Sequence, residues 1–87
     1  MSLEFPNLSR SFDEARNAIR FIGHDGMFTV PFFVETSALA RTGSVELSEA
    51  DCLTAFDAAR SSIHDVAREA YSQARRTSYT LTAADFR

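Results

Sequence analysis

The hydrophobic pattern is strongest between Ser48 and Arg76, a segment that contains neither Gly nor Pro. At about 100° per residue its apolar side chains share one face. They are Cys52, Phe56, Ala59, Ile63, Val66, Ala67, Ala70 and Ala74. Ser48 supplies an N-cap hydroxyl with Asp51 three residues later, and Arg75 and Arg76 complement the helix dipole at the other end. The pattern predicts one long amphipathic helix.

This predicted helix is longer than a domain of this size can cover. Its 29 residues would span about 43 Å at a rise of about 1.5 Å per residue. A domain with a radius of gyration of about 12 Å is only about 30 Å across. We therefore expect the helix to overhang, to bend, with Ser61–Ser62 as the favoured position, or to pack on a second subunit.

Two segments with strand patterns flank Asp25-Gly26, a dipeptide that favours tight hairpin turns. They run over Ala18–Gly23 and Phe28–Glu35. Pairing them places one set of side chains on a common face: Phe21 opposite Val30, Ile19 opposite Phe32, and Gly23 opposite Phe28. Because Pro31 has no N–H to donate, this register requires a four-residue loop over 24–27 or a bulge near the proline.

Shorter patterns complete the expected fold. We predict an edge strand over Met1–Pro6, an extended piece over Ser11–Glu14, a short helix over Ser37–Arg41, a loop over Thr42–Leu47, a last strand over Thr77–Thr82, and Phe86 covering an edge of the core. The whole is an α+β fold in two layers. An antiparallel sheet carries the long helix on one face, with one short helix beside it, in a single domain of residues 1–87.

Composition narrows the class of protein. Apolar residues make up 45% of the chain and include eight Phe, which is enough for a core without a metal or a disulfide. Cys52 is the single cysteine, Met1–Pro6 lacks the features of a signal peptide, and no apolar run approaches the roughly 20 residues of a membrane span. We therefore expect a cytoplasmic protein with no membrane partner. The net charge of −3 argues against a protein whose main function is to bind the phosphate backbone of nucleic acids.

Candidate catalytic chemistry is weak. His24 and His64 each precede an aspartate, but adjacent side chains on a strand or helix rarely share the geometry that a general base needs. Cys52 falls in the first helical turn, yet on the apolar face, where cysteine usually acts as a small hydrophobic residue. No metal-ligand spacing or phosphate-binding glycine loop is present in the sequence. We expect no catalytic, cofactor or metal site, and no enzymatic activity.

The polar side of the long helix offers a candidate contact surface. Four side chains gather along one flank near Tyr71: Arg60, His64, Arg68 and Arg75. This basic flank could meet an acidic protein or a phosphate. The alternative is an ordinary solvated face in which Asp57–Arg60 and Asp65–Arg68 form local ion pairs.

A set of short motifs resembles a known family of bacterial proteins. They are Phe5-Pro6, Phe12-Asp13, Ile19-Arg20-Phe21, Asp25-Gly26, Phe32-Phe33, Ala38-Leu39, Phe56, and the closing run Leu81 to Phe86. With them the chain is similar to the domain of unknown function 1488 family over nearly its whole length. The resemblance implies a short, cytoplasmic, bacterial α+β protein. It implies no reaction, cofactor or catalytic residue.

Two functions follow as hypotheses. The first is a non-enzymatic protein-interaction or regulatory module, whose partner is a protein or a second copy in a homodimer. The alternative is a weak nucleic-acid-binding accessory protein that uses the basic flank, together with Arg76. Nucleic-acid affinity would fall steeply with salt, which separates the two hypotheses.

Overall fold

A computed structural model describes residues 3–6, 9–39 and 48–86. Its elements, in chain order, are β1 (Arg10–Asp13), β2 (Ala18–Asp25), β3 (Phe28–Glu35), α1 (Thr36–Leu39), α2 (Glu49–Ala58), α3 (Arg60–Gln73), β4 (Tyr79–Leu81) and a 3-10 turn (Ala83–Phe86). The predicted α+β class is confirmed.

The sheet has the order β1-β2-β3-β4 and is mixed. β1, β2 and β3 pair antiparallel, as the sequence predicts, whereas β4 runs parallel to β3. The expectation of a wholly antiparallel sheet is therefore corrected at its last strand. Because the helices of the crossover lie between β3 and β4 in the chain, they carry the backbone back along the sheet before β4 begins.

The hairpin turn is shorter than predicted. Gly26 and Met27 alone connect β2 to β3, and Gly26 has a φ of +62°. A glycine in the left-handed region at the first central position is typical of a type II′ turn, which matches the twist of the flanking strands. The predicted four-residue loop is wrong, and the observed register is shifted by two residues: Phe21 lies opposite Phe32, Ile19 opposite Val34, and Gly23 opposite Val30.

A shift of two residues leaves every side chain on its predicted face. It also accommodates Pro31, which lies opposite Ile22. Hydrogen-bonded and non-hydrogen-bonded pairs alternate outward from the turn, and the Ile22–Pro31 pair is a non-hydrogen-bonded one. The side of Pro31 that lacks an N–H therefore faces away from β2. On that other side, β4 begins pairing only at Phe32. The proline therefore removes no ladder bond.

The long helical segment is interrupted. Its start is as predicted, because the Asp51 N–H donates to the Ser48 side-chain oxygen at 3.1 Å. At Ala59, however, φ is −106° and ψ is 13°, and this residue's N–H is shared between the carbonyls of Ala55 and Phe56 at 3.1 Å each. The bend thus falls two residues before Ser61–Ser62, and α3 ends at Gln73 rather than at Arg76.

The core lies between the sheet and these helices. Its most buried side chains are Ile19, Phe32, Val34, Cys52, Phe56, Ile63, Ala67 and Leu81. The ring of Phe56 reaches the ring of Phe21 at 5.2 Å between centroids, which fixes α2 against the apolar face of β2. On the opposite face Phe33 is covered by the guanidinium of Arg16, 4.3 Å from the ring centre.

The shorter predicted elements are found in part. β4 lies within its predicted segment, whereas β1 begins at Arg10 and ends at Asp13, one residue earlier at each end than predicted. α1 covers Thr36–Leu39, and the predicted residues 40–41 of this helix lie outside the described residues. Phe86 packs against the core from the 3-10 turn. Of the predicted edge strand, the structure describes residues 3–6, and within them Glu4 pairs with His24 in a one-residue bridge. The predicted loop Thr42–Leu47 lies outside the described residues.

Candidate functional site

The predicted basic flank runs along α3 and continues into the residues that follow the end of this helix. At its first position Arg60 donates to Asp57 Oδ1 at 2.6 Å. Asp57 also accepts two bonds from Arg10 of β1, at 2.9 and 2.8 Å. Hydrogen bonds from Arg10, with the charges of both arginines, hold the pKa of Asp57 below its ordinary value. This end of the flank therefore ties α2 and α3 to β1.

His64, the next position, lies flat against Phe5. The two rings stack with centroids 4.0 Å apart and planes 10° apart. Burial lowers the pKa of His64, and the positive charges of Arg60 and Arg68 lower it further, against the opposing effect of Asp65. A neutral imidazole here serves as an aromatic packing surface.

Arg68 contacts the N-terminal segment. Its Nε donates to the carbonyl oxygen of Leu3 at 3.1 Å, and its guanidinium carbon lies 5.2 Å from the ring centre of Phe5. It also approaches Asp65 Oδ1 at 3.5 Å. The two ion pairs considered from the sequence, Asp57–Arg60 and Asp65–Arg68, are thus both present.

Arg75 lies apart from the other three, at the hairpin end of the molecule. Its guanidinium lies over the ring of Tyr71 at 4.7 Å and 4.0 Å from Asp25 Oδ2. The hydroxyl of Tyr71 donates to the same oxygen of Asp25 at 2.5 Å, and this bond, with burial, raises the pKa of Tyr71. Asp25, only 7% exposed, is thereby anchored to the helix beyond the turn.

The tip of the hairpin carries a feature that the sequence reasoning missed. Within the described part of the chain, Met27 at 97% and Phe28 at 76% are the large apolar side chains that stand exposed. An open hollow of about 970 Å³ adjoins them, bounded also by Glu4, Pro6 and Arg75. The predicted register placed Phe28 opposite Gly23 in the core. The observed two-residue turn places it at the tip instead.

Other candidate chemistry is accounted for by packing. Cys52 is fully buried, and burial, with the nearby charge of Asp51, raises the pKa of its thiol. Across residues 3–6, 9–39 and 48–86, no cluster of three His, Cys, Asp or Glu could hold a metal ion. In the same described ranges, no helix is both long and apolar enough to cross a bilayer.

Comparison with known families agrees with the resemblance that the short motifs indicate. Residues 3–82 match the family described as protein of unknown function DUF1488. The chain belongs to this family. Searches of curated proteins and of solved structures found no match to it.

Proposed function

We propose that this protein is a non-enzymatic interaction or regulatory module of the bacterial cytoplasm, which binds another protein through the tip of its β2–β3 hairpin. The contact surface, which we call the tip surface, consists of Met27, Phe28 and Arg75 around the open hollow. The observation that carries the proposal is the exposure of two adjacent large apolar side chains at one turn. Such patches mark protein contacts.

The chemistry of the tip surface suits an apolar pocket on a partner. Burying a Met or Phe side chain contributes about 1.5–3 kcal/mol. Arg75, exposed over 63% of its side chain, provides a polar rim beside them. An apolar anchor with a polar rim is the usual arrangement of a protein–protein contact.

The rest of the basic flank makes contacts within the protein. Arg60 and Arg68 already contact carboxylates and, in the case of Arg68, the carbonyl of Leu3. Those contacts reduce the positive charge that the flank offers to phosphate groups, so we favour a protein partner over the nucleic-acid alternative. That alternative stays a prediction, to be tested by the salt dependence of binding.

Photo-crosslinking tests the proposal directly. Benzoylphenylalanine is introduced in place of Phe28 and, as a matched control, in place of Ala15, which is exposed in the β1–β2 turn. We expect a discrete crosslinked product from position 28 and none from position 15. A product with a second copy of the chain would identify a homodimer, and a product with another protein a heteromeric complex.

Affinity measurements with the purified partner, once crosslinking has identified it, complete the test. Phe28→Ser should weaken binding by about tenfold or more because it removes a buried aromatic anchor. Its unfolding free energy should stay within about 0.5 kcal/mol of wild type, as for most surface substitutions. Equal crosslinking at both positions, or unchanged affinity of the variant, would overturn the proposal.

A further inference from the structure

The segment Leu3–Pro6, which we call the strap, fills a slot between β2 and α3. Its backbone pairs with β2 at one residue only: the Glu4 N–H donates to the His24 carbonyl at 2.8 Å, and the His24 N–H donates to the Glu4 carbonyl at 2.7 Å. β1 covers the same edge of β2 further along, from Ala18 to Phe21. The strap therefore extends the sheet by a single bridge.

Side chains of the strap alternate between the slot and solvent. Leu3 is 5% exposed and Phe5 is half-buried, whereas Glu4 and Pro6 are exposed. The ring of Phe5 lies 5.9 Å from that of Phe21 and 6.0 Å from that of Phe32. The slot thus accepts an apolar residue and an aromatic residue two positions apart, which is the spacing of an extended strand.

Gly23 forms the floor of this slot. A Cβ at that position would come within 2.9 Å of Leu3 Cδ1 and 3.0 Å of Phe5 Cε1. Contacts that short are not sustained without movement of the neighbouring groups. The absence of a side chain at Gly23 is what makes room for the two inward side chains of the strap.

The wall of the slot is supplied by α3. His64 stacks on the aromatic residue, and Arg68 donates to the backbone carbonyl of Leu3. These contacts involve the backbone and the two inward side chains, not the outward ones of Glu4 and Pro6. An extended segment from another protein with the same apolar-x-aromatic pattern could make all of them.

We propose that the slot is a recognition site for an extended apolar-x-aromatic segment of a partner protein, and that the strap is its intramolecular competitor. Binding would take place by strand addition to β2, with the bridge at His24 and the carbonyl contact of Arg68 reproduced by the incoming segment. A tethered competitor has an effective concentration of the order of millimolar. Binding is therefore weak until the strap opens. The slot adjoins the tip surface, because Glu4 and Pro6 of the strap also bound its hollow. The contacts inside the slot do not involve Phe28.

A peptide competition experiment tests this site. The probe is a fluorescent peptide with the sequence of residues 3–6 between Gly-Ser flanks, and the proteins are the wild-type full chain and the Leu3→Ala/Phe5→Ala variant. We expect the peptide to bind the variant about tenfold or more tightly than wild type, because the variant's own strap competes less. A peptide with Ala at both inward positions should not bind. Adding Gly23→Ala to the variant should abolish binding by filling the floor of the slot.

Hydrogen exchange of the wild-type chain is a second test, and it does not depend on the folding of the variant. The amides of Glu4 and His24 should exchange about 100-fold faster than those of Ile19 and Val34, since the strap must open without global unfolding. Exchange of all four at one common rate would overturn the proposal. So would equal peptide affinity for both proteins, or protection of the strap amides that rises with protein concentration, which would assign the slot to a second copy.

Discussion

His64 illustrates how a residue on a charged flank can serve packing. From the sequence, its spacing with Arg60 and Arg68 places it on a basic stripe, and the structure retains that arrangement. Its ring nevertheless stacks on Phe5 at 4.0 Å, a residue 59 positions earlier in the sequence. Helical periodicity gives the direction of a side chain but not the distant segment that comes to lie on it.

The lowered pKa of His64 predicts a loss of stability in mild acid. Because the folded pKa lies below the ordinary value of 6.5, the unfolded chain takes up the proton first as the pH falls. This contribution to stability is complete above about pH 6.5 and is lost below it. Urea unfolding of wild type should show the decline between about pH 7 and pH 5, and His64→Gln should flatten it.

The contribution of Asp57 provides an internal reference for this titration. Its pKa is lowered from an ordinary value of 3.8, so the stability that it contributes is lost only at more acidic pH. An identical slope in wild type and His64→Gln over the mild range would show that another group titrates there.

Gly23 gives a second prediction at the scale of a single residue. Gly23→Ala should destabilise the fold by about 1–3 kcal/mol, the usual cost of overpacking, because the new Cβ meets Leu3, Phe5 and Phe32. The loss should be smaller when measured in a Leu3→Ala background, since one of the close contacts is then removed. Denaturant unfolding of the four proteins checks this, and strict additivity would contradict it.

Among the elements, the β2–β3 hairpin shows what the hydrophobic pattern could not predict, namely the register of the two strands. Alternation of apolar residues correctly assigned both strands and the inward face of each. It could not choose between registers that differ by two residues, because both keep the same faces inward. In the structure, Asp25 belongs to the strand and bonds to Tyr71 of α3, 46 residues away. The turn is then left to Gly26 and Met27.

Gly26→Ala tests the assignment of this turn. With φ at +62° and no heavy atom within 4 Å of an added Cβ, the cost arises from backbone conformation alone. We expect a loss of about 1–2 kcal/mol in unfolding free energy. Gly26→Asn should lose less, because Asn tolerates positive φ. Unchanged stability of Gly26→Ala would argue against a positive φ at this turn.

The sequence predicted the buried face of the helical segment and its N-terminal cap, but it did not predict the interruption at Ala59. Ser48 and the apolar spacing are local signals, and the structure confirms the cap and the buried face as far as Ala70. Ala74, which was predicted on the same face, is exposed and follows the end of α3. Ala59 gives no such signal, since alanine is the best helix former. Its break lets α2 pack against β1 and β2 while α3 packs against β4. The strands that the helices must cover decide where the segment bends.

At the scale of the whole molecule, the parallel pairing of β4 with β3 completes the sheet. The radius of gyration is 12.4 Å, close to the value expected from the chain length. β4 adds Tyr79 and Leu81 to the core beside Phe32 and Val34. The hydroxyl of Tyr79 donates to the carbonyl of Ala74 and accepts from the Arg76 N–H, which secures the connection from α3.

Leu81→Ala tests whether this last strand belongs to the cooperative core. Leu81 is 1% exposed, so its truncation should leave a cavity and cost about 2–5 kcal/mol. Thr80→Ala, on the neighbouring exposed position, should change stability by no more than about 0.5 kcal/mol. Similar small effects at both positions would show that β4 is dispensable for folding.

The sequence by itself determined the location of the main helical segment and of the two hairpin strands, which side of each is buried, and the α+β class. These depend on the 3.6- and two-residue periods and on local caps, which act within a few residues. The tertiary structure decided the hairpin register, the bend at Ala59, the direction of β4, and the exposure of Phe28 at the tip. It also stacked Phe5 on the helical flank. Each of these outcomes depends on contacts between distant parts of the chain, which no local pattern encodes.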